Sequence, residues 1–182
     1  MSNTLYELVI DYVDTSYGRH IPHFERTVFW LEKFLPNFGE AERIAAYAHD
    51  IERAFRDETK KAPEDYLNLE FLRNHQEGGA EIMRKFLTKN NASNELIETV
   101  VHLISRHEEG GDMAQNALMD ADSVSFFETN VENFVRKKVL TEWYEKVKPK
   151  IEWMYNRISS EVARQQAKKN YEYWMSELEK MK

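Results

Sequence analysis

The chain has 182 residues, enough to bury a core without disulfides or a structural metal, so any metal it carries is free to serve function. Its 42% apolar and 31% charged residues give the balance of a soluble globular protein, no apolar run approaches a bilayer's thickness, and the lack of Cys excludes disulfide stapling. The net charge of −7, with Lys interleaved among Glu and Asp, argues against a general nucleic-acid-binding role and leaves room for a small anionic substrate beside a local cation.

The opening Met1-Ser2-Asn3-Thr4-Leu5-Tyr6-Glu7 shows no basic segment followed by an apolar one, so the expected compartment is the cytoplasm, with no membrane association. Strand-type alternation is almost absent, whereas apolar residues recur at three-and-four spacing from end to end, which predicts an all-α fold.

Pro22 suits an early helical position, and Phe24, Val28, Leu31 and Leu35 then share a face until Pro36 and Gly39 interrupt it. His23 falls in the first turn. The next predicted helix covers residues 40–56, with Ile44, Ala48, Ile51 and Phe55 as its apolar stripe. Residues 60–64, with Pro63, read as a loop. Asn74 followed three residues later by Glu77 predicts an N-cap whose Glu reaches back, and that helix ends near Thr88. A helix over residues 94–106 closes at Gly110-Gly111, and residues 113–128 are helical again. Residues 131–182 read as two long C-terminal helices packed on the preceding core, broken or bent near Pro149 and near Ser159-Ser160. No repeat, low-complexity tract or linker divides the chain, which predicts a single domain.

The residues that carry chemistry lie on this helical frame. His49-Asp50 sits in the otherwise apolar stretch Ala45-Ala46-Tyr47-Ala48-His49-Asp50-Ile51, where neighbouring side chains diverge by about 100° and can flank one ion. An Asp buried there needs a metal, a cation or several donors. His23 opens the preceding helix, with His20 as a nearby competitor. Asp120 and Asp122 are about 200° apart on a helix, so both cannot face one ion; Asp122, a turn from Leu118 and from Phe126, lies on the core-facing stripe, and Asp120 has the easier route to solvent or to a role orienting a ligand His. His107 continues the stripe Ile97, Val100, Ile104, whereas His102 sits with Glu95, Glu98 and Arg106 on the polar side. His75 follows Phe71 and Leu72 and precedes Gly78-Gly79, which would let a backbone or ligand come close. Glu108-Glu109 reads as a solvated helix end. The aromatic tail, Trp143, Tyr144, Trp153, Tyr155, Tyr171, Tyr173 and Trp174, has the spacing of core or homodimer packing rather than of a base-stacking platform.

Taken in order, His23-Phe24-Glu25-Arg26-Thr27-Val28, then Ala45-Ala46-Tyr47-Ala48-His49-Asp50-Ile51-Glu52-Arg53, then Ile104-Ser105-Arg106-His107, then Asp120-Ala121-Asp122, this chain resembles the HD superfamily of metal-dependent phosphohydrolases. Ala163, Ala167, Met175 and Leu178 are spaced like the last helix of small bacterial HD hydrolases. The resemblance implies a single HD-type helical domain over residues 1–182, with His23, His49, Asp50 and Asp122 as metal ligands. It also implies that His75 and His107 line the cleft, holding phosphate, protonating a leaving group or binding a second metal. The chain departs from the cyclic-dinucleotide phosphodiesterase branch, having Arg106-His107-Glu108 and no Gly-Tyr-Pro, and it carries Arg53 where the alarmone and deoxynucleotide branches place Glu.

Two imidazoles and two carboxylates leave open positions on a divalent ion, which suits Mn, Fe, Co, Ni or Mg better than a closed zinc site, although Zn remains in the set. The implied reaction is hydrolysis of a small phosphorylated, nucleotide-like substrate, with Asp50 orienting the water and Arg26, Arg53, His75 and His107 the cations in reach of the developing charge. The competing expectation is an HD scaffold without turnover, serving as a metal- or nucleotide-binding regulatory or interaction module.

Overall fold

In the computed structural model, which describes residues 4–56, 67–142 and 144–181, the helices start mostly where a capping side chain or a proline meets a periodic apolar run. Helix α1 (Leu5–Tyr17) is capped by Thr4, whose hydroxyl accepts from the Glu7 N–H while the Glu7 carboxylate accepts from Thr4. Helix α2 (Pro22–Phe34) begins on Pro22, whose missing N–H is one that a helix start leaves unpaired anyway. Helix α3 (Glu40–Ala48) is followed by a 3₁₀ turn, Ile51–Phe55. Helices α4 (Leu69–Lys89), α5 (Asn94–Ile104) and α6 (Met113–Ser125) are capped by Asn68, Ser93 and Asp112, each contributing about 1 kcal/mol. A π turn, Phe126–Asn130, joins α6 to α7 (Val131–Glu142), and α8 (Tyr144–Asn156) precedes α9 (Glu161–Lys180), capped by Ser160.

Among the described residues every regular element is a helix, which is the all-α fold that the periodicity predicts, and no helix is long and apolar enough to cross a membrane. Helix α2 packs along α6 and against α3, and α5 packs between α3 and α4. One apolar core joins α1 to α6 around Val13, Phe24, Leu31, Ile44, Tyr47 and Met83. A second joins the π turn to α7, α8 and α9 around Phe127, Val131, Ile151 and Ala167, with Trp30 and Phe34 touching both. Ala121 belongs to the first core and Val124 to the second, so Asp122 stands at their seam.

Four sequence expectations need correction. The helix expected over residues 40–56 stops at Ala48, and His49-Asp50 form a bend, with Asp50 at φ −94° and ψ 7°. The bend is pinned by the Tyr17 hydroxyl, which donates to the Asp50 carbonyl at 2.6 Å, and it leaves Phe55 54% exposed rather than in the core. Asn74 and Glu77 are not a helix start; they lie within α4, which begins after Asn68 because Leu72, His75, Gln76 and Gly79 bury one continuous face. Pro149 lies inside α8 and does not break it; the interruption before α9 falls at residues 157–160. Residues 60–64 and Trp143 are outside the described residues.

Candidate metal centre

The bend after α3 turns His49 and Asp50 toward the residues that α2, α4, α6 and the end of α5 bring inward. His23 Nε2 lies 3.0 Å and His49 Nε2 3.5 Å from the same oxygen, Oδ1 of Asp122. His75 Nε2 lies 2.9 Å and His107 Nε2 3.8 Å from Oδ1 of Asp50, and His49 Nε2 is 3.9 Å from its Oδ2. All six side chains are buried. The imidazoles form a row, with ring centres 5.3 Å apart from His23 to His49, 5.2 Å from His49 to His107 and 5.1 Å from His107 to His75.

Every ring in this row is held by its other nitrogen. Nδ1 of His49 lies 2.9 Å from the Ala46 carbonyl and Nδ1 of His107 2.8 Å from the Ile104 carbonyl. A carbonyl only accepts, so each Nδ1 carries a proton, and in the neutral ring each Nε2 presents its lone pair to the cluster. His75 Nδ1 meets the Glu52 carboxylate at 2.7 Å. The Ser125 hydroxyl donates to the His23 carbonyl at 2.8 Å, which leaves its oxygen to accept from His23 Nδ1 at 2.8 Å. The Nε2 atoms of His49 and His107 are buried without a hydrogen-bond partner. Lone pairs facing carboxylate oxygens repel unless a proton or a metal ion lies between them.

Fixed cations also reach the cluster. The guanidinium of Arg157, buried at the end of α8, pairs with Oδ2 of Asp122 and with Glu108, and Arg53 Nε lies 3.0 Å from Oδ1 of Asp50. Around the cluster the four carboxylates Asp50, Asp122, Glu108 and Glu52 are matched by the four cations Arg53, Arg157, Arg56 and Lys150, before any imidazole is protonated. Burial opposes the ionisation of Asp50 and Asp122, but the charges of Arg53 and His49 beside the first, and the charge of Arg157 and the hydrogen bond with His23 beside the second, hold both well below the usual carboxylate range. Burial likewise opposes charge on His49, but Asp50 and Asp122 outweigh it and push that imidazole up to about 8. Burial pushes His107 down to about 4, with Glu108 opposing and His75 and His49 reinforcing it.

The site residues expected from sequence thus fall into two triads, His23-His49-Asp122 and Asp50-His75-His107, whose ligand atoms lie within 4.8 Å of one another in each. Such buried His/Asp groups can hold a metal ion. His20 is exposed and pairs with Asp14 at 3.2 Å and Glu25 at 3.5 Å, away from the cluster. Asp120, expected nearer solvent, is 1% exposed: it accepts from the N–H groups of Ser159 at 2.6 Å and Ser160 at 2.9 Å and fixes the turn into α9. Arg26 is not brought to the site; it pairs with Glu128, which also accepts from the Trp30 indole at 2.8 Å. His102 is exposed, 2.7 Å from Asp112. Gly79 admits the bend, since a Cβ there would come within 3.3 Å of the His49 carbonyl oxygen.

Sequence reasoning missed several members. Glu108 is not a solvated helix end but a buried carboxylate, 3% exposed, whose backbone N–H donates to Gln76 at 2.9 Å. Lys150 comes from α8, Arg157 from the residue directly after it, and Glu52 from the 3₁₀ turn. No sequence pattern links Lys150 or Arg157 to the metal ligands, because distant packing alone unites them. Beside the cluster opens a cavity of about 250 Å³, lined by Arg53, Lys150 and Asp122 and by Phe71, Phe126 and Met154 among others.

Fold and site together define an all-α protein with a buried His/Asp cluster able to hold metal. The chain matches the family described as a domain of unknown function, DUF4202, over residues 12–180, and it belongs to that family. Comparisons with curated proteins and with solved structures find no match.

Proposed function

We propose that this protein is a metal-dependent phosphohydrolase of the HD type, acting on a small phosphorylated substrate at a centre of two divalent ions. The observation that carries the reading is the row of imidazoles, each with Nδ1 engaged and Nε2 turned toward Asp50 or Asp122. His23, His49 and Asp122 would hold one ion, His75 and His107 the other. Asp50, within 3.9 Å of His49 and 2.9 Å of His75, is placed to serve both. The oxygen-and-imidazole donor set, with no thiolate, suits Mn, Fe, Co, Ni or Mg, with Zn also compatible.

A divalent ion supplies Lewis acidity toward a phosphoryl oxygen and lowers the pKa of water. The protein's residues do the rest. His107, kept neutral by burial, offers a lone pair rather than a proton at neutral pH. Asp50 orients the water whose oxygen bonds to phosphorus as the ester P–O bond breaks. Arg53, open to the cavity at 46% side-chain exposure although paired with Asp50, meets the charge that develops on the phosphoryl oxygens. The same packing that buries the ligands excludes bulk water.

The test is metal content by mass spectrometry, together with phosphate release from a panel of phosphate esters and nucleotides with added Mn or Mg. Turnover in the intact protein, lost in Asp50→Ala, supports the reading. Stoichiometric metal with no turnover on any substrate replaces it with a binding module of the same fold. Absence of metal under all loading conditions overturns both.

A further inference from the structure

We propose that Lys150 binds the anionic group of the substrate, and that this substrate is a phosphate monoester whose leaving group is a single aromatic or similarly flat apolar ring. The inference rests on the phosphohydrolase reading. It starts from residues of α7 and α8, outside the His/Asp cluster.

Three cations line the cavity, and two of them already pair with a carboxylate. Arg53 pairs with Asp50 at 3.0 Å and approaches Glu108 at 3.5 Å, and Arg56 pairs with Glu52. Lys150 has no carboxylate within salt-bridge distance among the described residues. Its ammonium lies over the Trp153 ring at 4.1 Å, a contact that leaves its N–H donors unused. Arg157 lies over the same ring at 4.5 Å but is spent on Asp122 and Glu108. Glu108 and Asp122 act on this half-buried ammonium only from beyond pairing distance, so its N–H donors are free to meet an anion that enters the cavity.

The remaining wall is apolar. Phe126 and Phe134 lie two turns apart on the continuous helix from α6 through the π turn to α7, with ring centres 5.9 Å apart. Met154 is one turn beyond Lys150 on α8, and Phe71 and Leu72 face the cavity from α4. An ammonium one turn from an apolar surface sorts a ligand into a charged end and a flat apolar end. The volume of about 250 Å³ lies below the ~300–1,000 Å³ common for drug-sized ligands, so one ring and one phosphate fit better than a dinucleotide.

Phenylphosphonate, which cannot be hydrolysed as an ester, separates binding from turnover. Titration calorimetry on the Mn-loaded protein is expected to show phenylphosphonate binding at least about tenfold more tightly than methylphosphonate. Lys150→Met is expected to weaken both by at least about tenfold, and Lys150→Arg to restore most of the loss. Circular dichroism and metal analysis check that each variant folds and loads as the parent does; if Lys150→Met does not fold, Lys150→Gln takes its place. Equal affinity in parent and Lys150→Met overturns the assignment of Lys150, and equal affinity for the two phosphonates overturns the ring. Lys150-dependent binding of phenylphosphonate with no hydrolysis of any ester in the panel keeps Lys150 and the ring as an anion site and overturns the phosphohydrolase reading, and the monoester with it. Hydrolysis indifferent to Lys150 does the reverse.

Discussion

Asp122 divides its carboxylate between two roles: Oδ1 faces His23 Nε2 at 3.0 Å, and Oδ2 pairs with Arg157. One oxygen belongs to the candidate ion and the other to the C-terminal helices. Asp122→Asn keeps the shape but removes the charge, so it is expected to abolish ion-induced stabilisation while the metal-free protein still folds. In the parent, ion at a hundred times its dissociation constant adds about 2.7 kcal/mol of stability. Thermal unfolding with and without Mn measures both, and an undiminished Mn-induced rise in the variant removes Asp122 from the ligand set.

Arg157 is a buried cation with two carboxylate partners, Asp122 and Glu108. Removing it alone strands both, so Arg157→Met is expected to cost about 3 kcal/mol in urea unfolding. The double change Arg157→Met with Glu108→Met removes one of the stranded charges as well and is expected to recover part of that loss, because an apolar pair of similar volume needs no counter-charge. Additive costs in the double variant would show that Arg157 and Glu108 do not interact.

Asp120 and Asp122 are expected to separate cleanly. Asp120→Ala removes the acceptor for Ser159 and Ser160 and leaves their N–H groups without it, at a cost of about 2–3 kcal/mol, with metal content unchanged. Metal analysis alongside urea unfolding checks this, and loss of metal would return Asp120 to the site.

Metal binding should release protons. In the metal-free protein His49 titrates near 8, raised by Asp50 and Asp122 against its burial, and a ligand imidazole must be unprotonated. Apparent affinity is therefore expected to be level above about pH 8 and to fall at least about tenfold for each unit below it, as His49 must lose one proton and His75, raised against its burial by Asp50 and Glu52, another. His107, near 4, adds a further proton only at far lower pH. Calorimetry in buffers of different ionisation enthalpy counts the protons; none released between pH 6 and 7 would exclude His49 as a ligand.

How far the sequence revealed this depends on the kind of signal each residue sends. His49, Asp50, His107 and Asp122 could be found because a polar residue on an apolar helix face stands out against its neighbours, whereas His23 and His75 entered through the family resemblance. The helix break at His49 could not, since Ile51 and Phe55 continue the apolar spacing in register; what ends the helix is the Tyr17 hydroxyl, contributed by α1. The Asn74 and Glu77 pair has the composition of a capping box, but burial of Leu72 and His75 on one face carries α4 straight through it. Glu108 looks like an ordinary charge at a helix end until Arg157 arrives from the other core.

That arrival has a thermodynamic consequence. Because Arg157 contacts the carboxylate that also faces His23 and His49, the docking of α8 and the occupancy of the ion site share a free energy, and the sharing is reciprocal. Whatever steadies the outer surface of α8 and α9 changes the affinity for the ion, and the ion changes the affinity for whatever lies on that surface by the same factor. The C-terminal helices are a second input to the centre, and the size of the coupling can be read by measuring ion affinity in variants altered only on their solvent-facing sides.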